Sequence, residues 1–294
     1  LSERYLHELE AEIPEVDKWY GKFNYYDLLQ ELTKQAVDCV PSFKRKLTTP
    51  AHYTYLKISE GCNRKCAYCA IPIITGAHVS RPMEEILDEV THLVSEGVKE
   101  FNIIAQELTF YGVDLYKKQM LPELIERMAK IPGVEWIRLH YGYPTHFPMD
   151  LLRVMRENAN VCKYIDIALQ HISDNMLTRM HRNTTKQETL DLLTALRQEV
   201  PDICIRTTLM VGFPGETEED FEDTLDVVSK VKFEQIFMFI YSIRVGTPAE
   251  KMEDQVPEEI KHKRFDRLKA LVESQIEDNN KKYLGTIQKV LIDG

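Results

Sequence analysis

From Tyr53 onward the chain alternates between two hydrophobic periods. Short apolar or β-branched runs stand at 53–58, 101–105, 136–139, 164–169, 203–211 and 235–240. Runs of that length and make-up predict strands. Between them, residues 83–94, 121–131, 149–156, 186–200 and 218–231 repeat apolar positions three and four apart, which predicts helices with one buried face. Pro82, after Ser80-Arg81, suits a helix start. Strand–helix alternation repeated six times predicts a parallel sheet with right-handed crossovers, open or rolled into a partial barrel. In both forms the chemistry gathers at the carboxyl ends of the strands.

The flanks read differently. Residues 2–12 carry Tyr5, Leu6 and Leu9 at helical spacing, and 25–32 offers a second short helix. Pro14, Gly21, Pro41 and Pro50 punctuate the remainder, so 1–50 reads as the tail of a preceding domain and a linker. Residues 258–280 predict a long charged helix, and 287–292 alternates like the first strand of another β unit. The first residue is Leu rather than Met, which suggests a fragment or processed form.

Composition narrows the function classes. The chain has 294 residues, 44% of them hydrophobic and 29% charged, as expected of a folded protein. No run approaches the roughly 20 apolar residues of a membrane helix, and no signal-peptide stretch opens the chain. Lys and Arg number 37 against 47 Asp and Glu, a net charge of −10. That balance points away from nucleic acid as the main substrate and toward a basic protein or a small molecule.

Six cysteines are present, and three of them form Cys62-Asn63-Arg64-Lys65-Cys66-Ala67-Tyr68-Cys69 directly after the first strand. A tight C-x3-C-x2-C loop can hold three corners of an iron–sulfur cubane and leave the fourth iron open. Two alternatives stand beside this: three packed thiols, or half of a zinc site in a non-catalytic binding module. Cys162 and Cys204, within apolar surroundings, read as packing. Gly212 and Gly215 are a weak phosphate-cradle signal, and the acidic residues 216–223 read as a helix-start cap.

The cysteine spacing, with Tyr68 before the last cysteine, resembles the cluster loop of the radical S-adenosylmethionine (SAM) enzymes. A narrower resemblance, to the radical SAM methylthiotransferases, covers most of the chain. It rests on Cys69-Ala70-Ile71-Pro72, Ser80-Arg81-Pro82, Ile104-Ala105-Gln106-Glu107, Tyr111-Gly112-Val113-Asp114-Leu115-Tyr116, His140-Tyr141-Gly142-Tyr143-Pro144, Leu169-Gln170-His171 and Val211-Gly212-Phe213-Pro214-Gly215-Glu216-Thr217. The tyrosine-rich stretches favour the branch that modifies an aspartate of a small-subunit ribosomal protein over the tRNA adenosine-modifying branch.

The resemblance implies a partial TIM-type (β/α)6 barrel over 51–281, with the tail of an N-terminal methylthiotransferase domain at 1–50 and the start of a TRAM domain at 282–294. It implies a [4Fe-4S] cluster on Cys62, Cys66 and Cys69, whose open iron takes the amino and carboxylate groups of SAM. A second [4Fe-4S] cluster belongs to the N-terminal domain, which Cys39 does not match. SAM contacts carry over to Tyr68, Gln106, Glu107, Gln170, Arg182, Arg206, Gly212, Phe213 and Pro214. Partners so implied are a basic small-subunit ribosomal protein and an electron donor such as flavodoxin, in the cytoplasm. Three positions depart from the family pattern: Thr75 stands where Arg is usual, Glu107 where Asp is usual, and Ala168 where Pro is usual.

Overall fold

The structure, a computed structural model, describes residues 2–21, 24–34 and 45–292. Cys39 and Pro41 therefore lie outside the described residues. Two helices, α1 (Ser2–Glu12) and α2 (Tyr25–Thr33), precede the sheet. Its first strand is β1 (Tyr53–Lys57), and a small antiparallel pair, β2 (Ser59–Glu60) with β3 (Val79–Ser80), brackets the cysteine loop and α3 (Ile71–Thr75). The alternation continues through α4 (Met83–Ser95), β4 (Glu100–Ile104), α5 (Val113–Tyr116), α6 (Leu121–Ala129), β5 (Trp136–Gly142), α7 (Asp150–Glu157) and β6 (Val161–Gln170). Then come α8 (Asp174–Arg179), α9 (Lys186–Glu199), β7 (Cys204–Val211), α10 (Glu218–Val231), β8 (Gln235–Ile240) and the long α11 (Glu258–Lys281).

The sheet has six strands in the order β1-β4-β5-β6-β7-β8, all pairs parallel. No ladder joins β8 back to β1, so the barrel is partial. The choice that periodicity left open is made by the inner face. Outward residues such as Leu56, Phe101, Ile103, Leu139, Ile165, Ile205 and Leu209 are fully buried or nearly so, in one core with α4, α6, α7, α9, α10 and α11. Inward residues are polar or aromatic and bond across strands. Arg138 pairs with Glu100 (2.9 Å), His140 with Asn102 (3.1 Å), and Arg206 with Asp166. Such cross-strand pairing satisfies polar groups that a flat half-open sheet would leave in water.

One expected strand is not formed. Residues 287–292 make no ladder, and Ile287, Val290 and Ile292 are exposed. A strand needs a neighbouring edge, which alternation of side chains alone does not supply. No helix among the described residues is long and apolar enough to cross a membrane.

Candidate active site

The cysteine loop is fixed by backbone before side chains enter. Gly61 sits at φ +75°, and a Cβ there would lie 2.0 Å from the Ala77 carbonyl oxygen, so only glycine lets the loop cross the 76–77 segment. The Cys62 N–H then donates to the Gly76 carbonyl (3.2 Å) and Ala67 N–H to Met180 (3.0 Å). A third tie comes from beyond β8: the Ala249 N–H donates to the Ala67 carbonyl at 2.9 Å. The loop is thus held from three elements.

Cys62, Cys66 and Cys69 line a cavity of about 180 Å³ at the carboxyl ends of the strands, together with Tyr68, Gln106, Glu107, Gln170 and Arg182. Eight of the twelve site positions expected from the sequence therefore meet in one place. The other four do not line it. Arg206 lies in the barrel interior, bound to Asp166, 3.2 Å from His140 Nδ1 and stacked on Phe237 at 4.6 Å. Of Gly212, Phe213 and Pro214, only Phe213 touches a cavity residue, its ring meeting Tyr68 edge-on at 6.4 Å between centroids, while the Pro214 carbonyl accepts from Arg179. The space beside the pair of glycines is taken by side chains, the Lys261 stem at Gly212 and Arg179 with Asp254 at Gly215.

Two residues that sequence reasoning quoted without a role prove central. Tyr143 accepts the Arg64 and Arg182 guanidinium groups on its ring, at 4.0 and 4.1 Å, and its hydroxyl donates to the Arg182 carbonyl. Arg64 also pairs with Glu107 at 3.2 Å. Arg182 is almost fully buried, with one nitrogen 3.2 Å from Tyr68 Oη and 3.8 Å from Cys66 Sγ. Burial opposes its charge, but Tyr68, Tyr143 and Cys66 outweigh that and hold the guanidinium protonated. The signal for Tyr143 was present in the His-Tyr-Gly-Tyr-Pro stretch at the end of β5, where the architecture puts a site.

Two wall residues have left-handed backbone: Tyr141 at φ +64° and Gln170 at φ +69°. Each coincides with a register shift, of β5 against β6 and of β6 against β7. Such irregularities re-aim side chains at strand ends. Burial pushes the Cys62 thiol up to about 11, with Glu107, Cys66 and Cys69 adding to it, and burial also raises Cys69. Cys62 and Cys69 are therefore protonated at neutral pH until a metal displaces the protons. Among the described residues, no three His, Cys, Asp or Glu side chains converge closely enough to hold a single ion. Thiols spread around a cavity suit separate irons of a cluster better than one zinc.

The family model of the radical SAM superfamily matches residues 56–228. The ribosomal protein uS12 methylthiotransferase RimO of Bacteroides fragilis is 63% identical over the whole chain, which covers 68% of that relative. Its counterpart in Phocaeicola vulgatus is 62% identical with the same coverage. The chain belongs to the RimO family of radical SAM methylthiotransferases. Solved structures agree on the fold: TsrM of Kitasatospora setae superposes with a TM-score of 0.58 at 18% identity, covering 73% of this chain and 43% of that one. HemN of Escherichia coli gives 0.57 at 16% identity, covering 79% and 54%.

Membership of the RimO family implies a [4Fe-4S] cluster and SAM, and the cavity fits both. Three thiols face it, and Gln106 Oε1 is buried with no hydrogen-bond partner, an acceptor left open for a cationic amino group. Glu107, where the family pattern has Asp, is held by Arg64 and Thr109. Thr75 closes on its own helix, its hydroxyl donating to the Ile71 carbonyl at 3.0 Å. Ala168 lines the cavity, and its carbonyl accepts from Arg182.

Proposed function

We propose that this chain carries the radical SAM half of a methylthiotransferase that attaches a methylthio group to the β-carbon of an aspartate in ribosomal protein uS12. The observation that carries the reading is the convergence of the three loop thiols with Gln106, Glu107 and Gln170 in one cavity at the strand ends. Cys62, Cys66 and Cys69 hold the cluster, Gln106 receives the SAM amino group, and Tyr68 and Gln170 bracket its nucleoside. The cluster, when bound, supplies the electron that cleaves SAM and so the radical chemistry an unactivated C–H bond needs. The protein's part is to fix these groups, keep Arg182 charged beside Cys66 and exclude water. The electron arrives from a low-potential protein donor of the flavodoxin type.

Sulfur insertion requires a second cluster, and the remaining cysteines of these 294 residues are scattered at 39, 162 and 204. Its ligands come from elsewhere. After anaerobic reconstitution and reduction, these 294 residues are expected to turn SAM into 5′-deoxyadenosine and methionine without adding a methylthio mass to uS12. Cys66→Ala should lose the brown chromophore and bound iron, while Cys162→Ala keeps both. An iron-replete sample that never cleaves SAM would overturn the radical reading, and full modification of uS12 would overturn the division between two clusters.

A further inference from the structure

The three loop sulfurs are not served alike. Cys62 Sγ accepts the backbone N–H of Arg64 and Cys69 Sγ that of Ile71, both at 3.4 Å. Each donor stands two residues from its acceptor, so the loop supplies it. Cys66 is served from outside the loop: a guanidinium nitrogen of Arg182 lies 3.8 Å from its Sγ. Cys66 is also the buried member of the three, Cys62 and Cys69 being partly exposed. The sulfur most withdrawn from water therefore faces the donor that carries a full charge.

Arg182 is held in that position from several directions. The Ala67 N–H donates to the Met180 carbonyl at 3.0 Å, and His181 Nδ1 lies 3.3 Å from the Lys65 carbonyl. The residues on either side of Cys66 are thus tied to the two that precede Arg182. His181 and Asn183 flank it in left-handed backbone, at φ +56° and +46°. Such conformations cost free energy away from glycine and collect where a side chain must be aimed. The guanidinium stacks 4.1 Å from the Tyr143 ring centroid and donates to Tyr68 Oη at 3.2 Å and to the Ala168 carbonyl. Tyr143 in turn donates its hydroxyl to the Arg182 carbonyl at 2.9 Å.

Charge is what these contacts leave unbalanced. Arg64 has Glu107 and Arg206 has Asp166, but no carboxylate pairs with Arg182 among the described residues, and its Nε–H is buried without an acceptor. A buried cation without a counter-ion is costly. Three thiolates on an iron–sulfur cluster supply the negative charge that offsets it. One electron from the low-potential donor takes the cluster from its 2+ to its 1+ state before passing to SAM, which adds one negative charge to the site. A fixed cation and an N–H···S bond both favour that more negative state.

We propose that Arg182 acts through the Cys66 sulfur to raise the reduction potential of the cluster, as a fixed counter-charge rather than a contact to SAM. This rests on the reading of Cys62, Cys66 and Cys69 as cluster ligands.

The test is a redox titration of the reconstituted chain without SAM, read from the electron-spin signal of the reduced cluster at matched iron and sulfide contents. Arg182→Gln should make reduction about tenfold less favourable, a shift of ~59 mV to more negative potential. Arg182→Lys, which keeps the charge without the planar fork, should shift it less. Tyr143→Phe keeps the ring but releases the Arg182 carbonyl, and should move the equilibrium the same way by about threefold. An unshifted or more positive potential in cluster-loaded Arg182→Gln would overturn the assignment. Should that variant take up no cluster, the same result in Tyr143→Phe would overturn it. An unmoved potential with a weakened SAM affinity would make Arg182 a SAM contact instead. Wild type that takes up no iron and sulfide would remove the cluster reading, and this assignment with it.

Discussion

His140 shows how a barrel interior tunes one side chain. Its Nδ1 accepts from Arg206 and its Nε2 faces Asn102 Oδ1, an arrangement that suits the neutral ring. Burial, with the Arg206 and Arg138 cations, lowers its pKa from 6.5 to about 4, against a smaller opposing pull from Asp166. The folded value lies below the unfolded one, so between those limits the unfolded chain binds the extra proton. Stability is then full above about pH 6.5 and falls as pH drops toward 4. Solvent reaches part of the ring, which limits the effect to about 1–2 kcal/mol. His140→Gln should therefore show a shallower decline of the urea midpoint over that window than wild type. Equal slopes in the two proteins would refute the assignment.

At the scale of elements, the turn from β7 into α10 depends on a buried charge network that also includes α11. Thr217 caps α10 and forms a capping box with Asp220, as the acidic run suggested. Glu216 departs from that expectation: it turns inward to His171 (3.0 Å), Arg264 (2.7 Å) and the Gly212 N–H (2.7 Å). Two backbone N–H groups donate to His171 Nδ1, so the ring proton sits on Nε2 toward Glu216. Glu216→Ala would leave buried Arg264 with only Glu218 (3.3 Å) and the residue-216 carbonyl as partners and the His171 Nε2 without its acceptor, a change expected to cost about 1–3 kcal/mol in chemical denaturation, with Glu216→Gln milder. A loss under about 1 kcal/mol would show that the network relaxes to water instead. The strands and longer helices were legible because their hydrophobic period is local. Glu216, Tyr143 and Arg64 were not, because their partners lie across the fold on Arg264, Arg182 and Glu107. The cysteine loop was readable because its chemistry is encoded in spacing, whereas the placement of Arg206 away from the cavity depends on how the sheet curls. Residues 287–292 carry the strand pattern without an edge to join.

For the whole molecule, a net charge of −10 favours encounter with a basic ribosomal protein. Association with uS12 should slow as salt rises, since exposed charges are screened beyond about 10 Å at 0.1 M. Rates independent of salt would place recognition in local contacts alone. The tie between Ala67 and Ala249 has a further consequence in time rather than in space. Its two ends are separated by more than half the chain, and every strand of the sheet after β1 lies between them. Contacts of such range close late, because the intervening loops must be ordered first. As the ribosome releases the chain, the cysteines emerge before β4 to β8 and their brace emerges after them. The loop is then the last part of the barrel to become rigid, so iron delivery naturally follows synthesis, and a chain that stalls before Ala249 offers the assembly machinery no finished site.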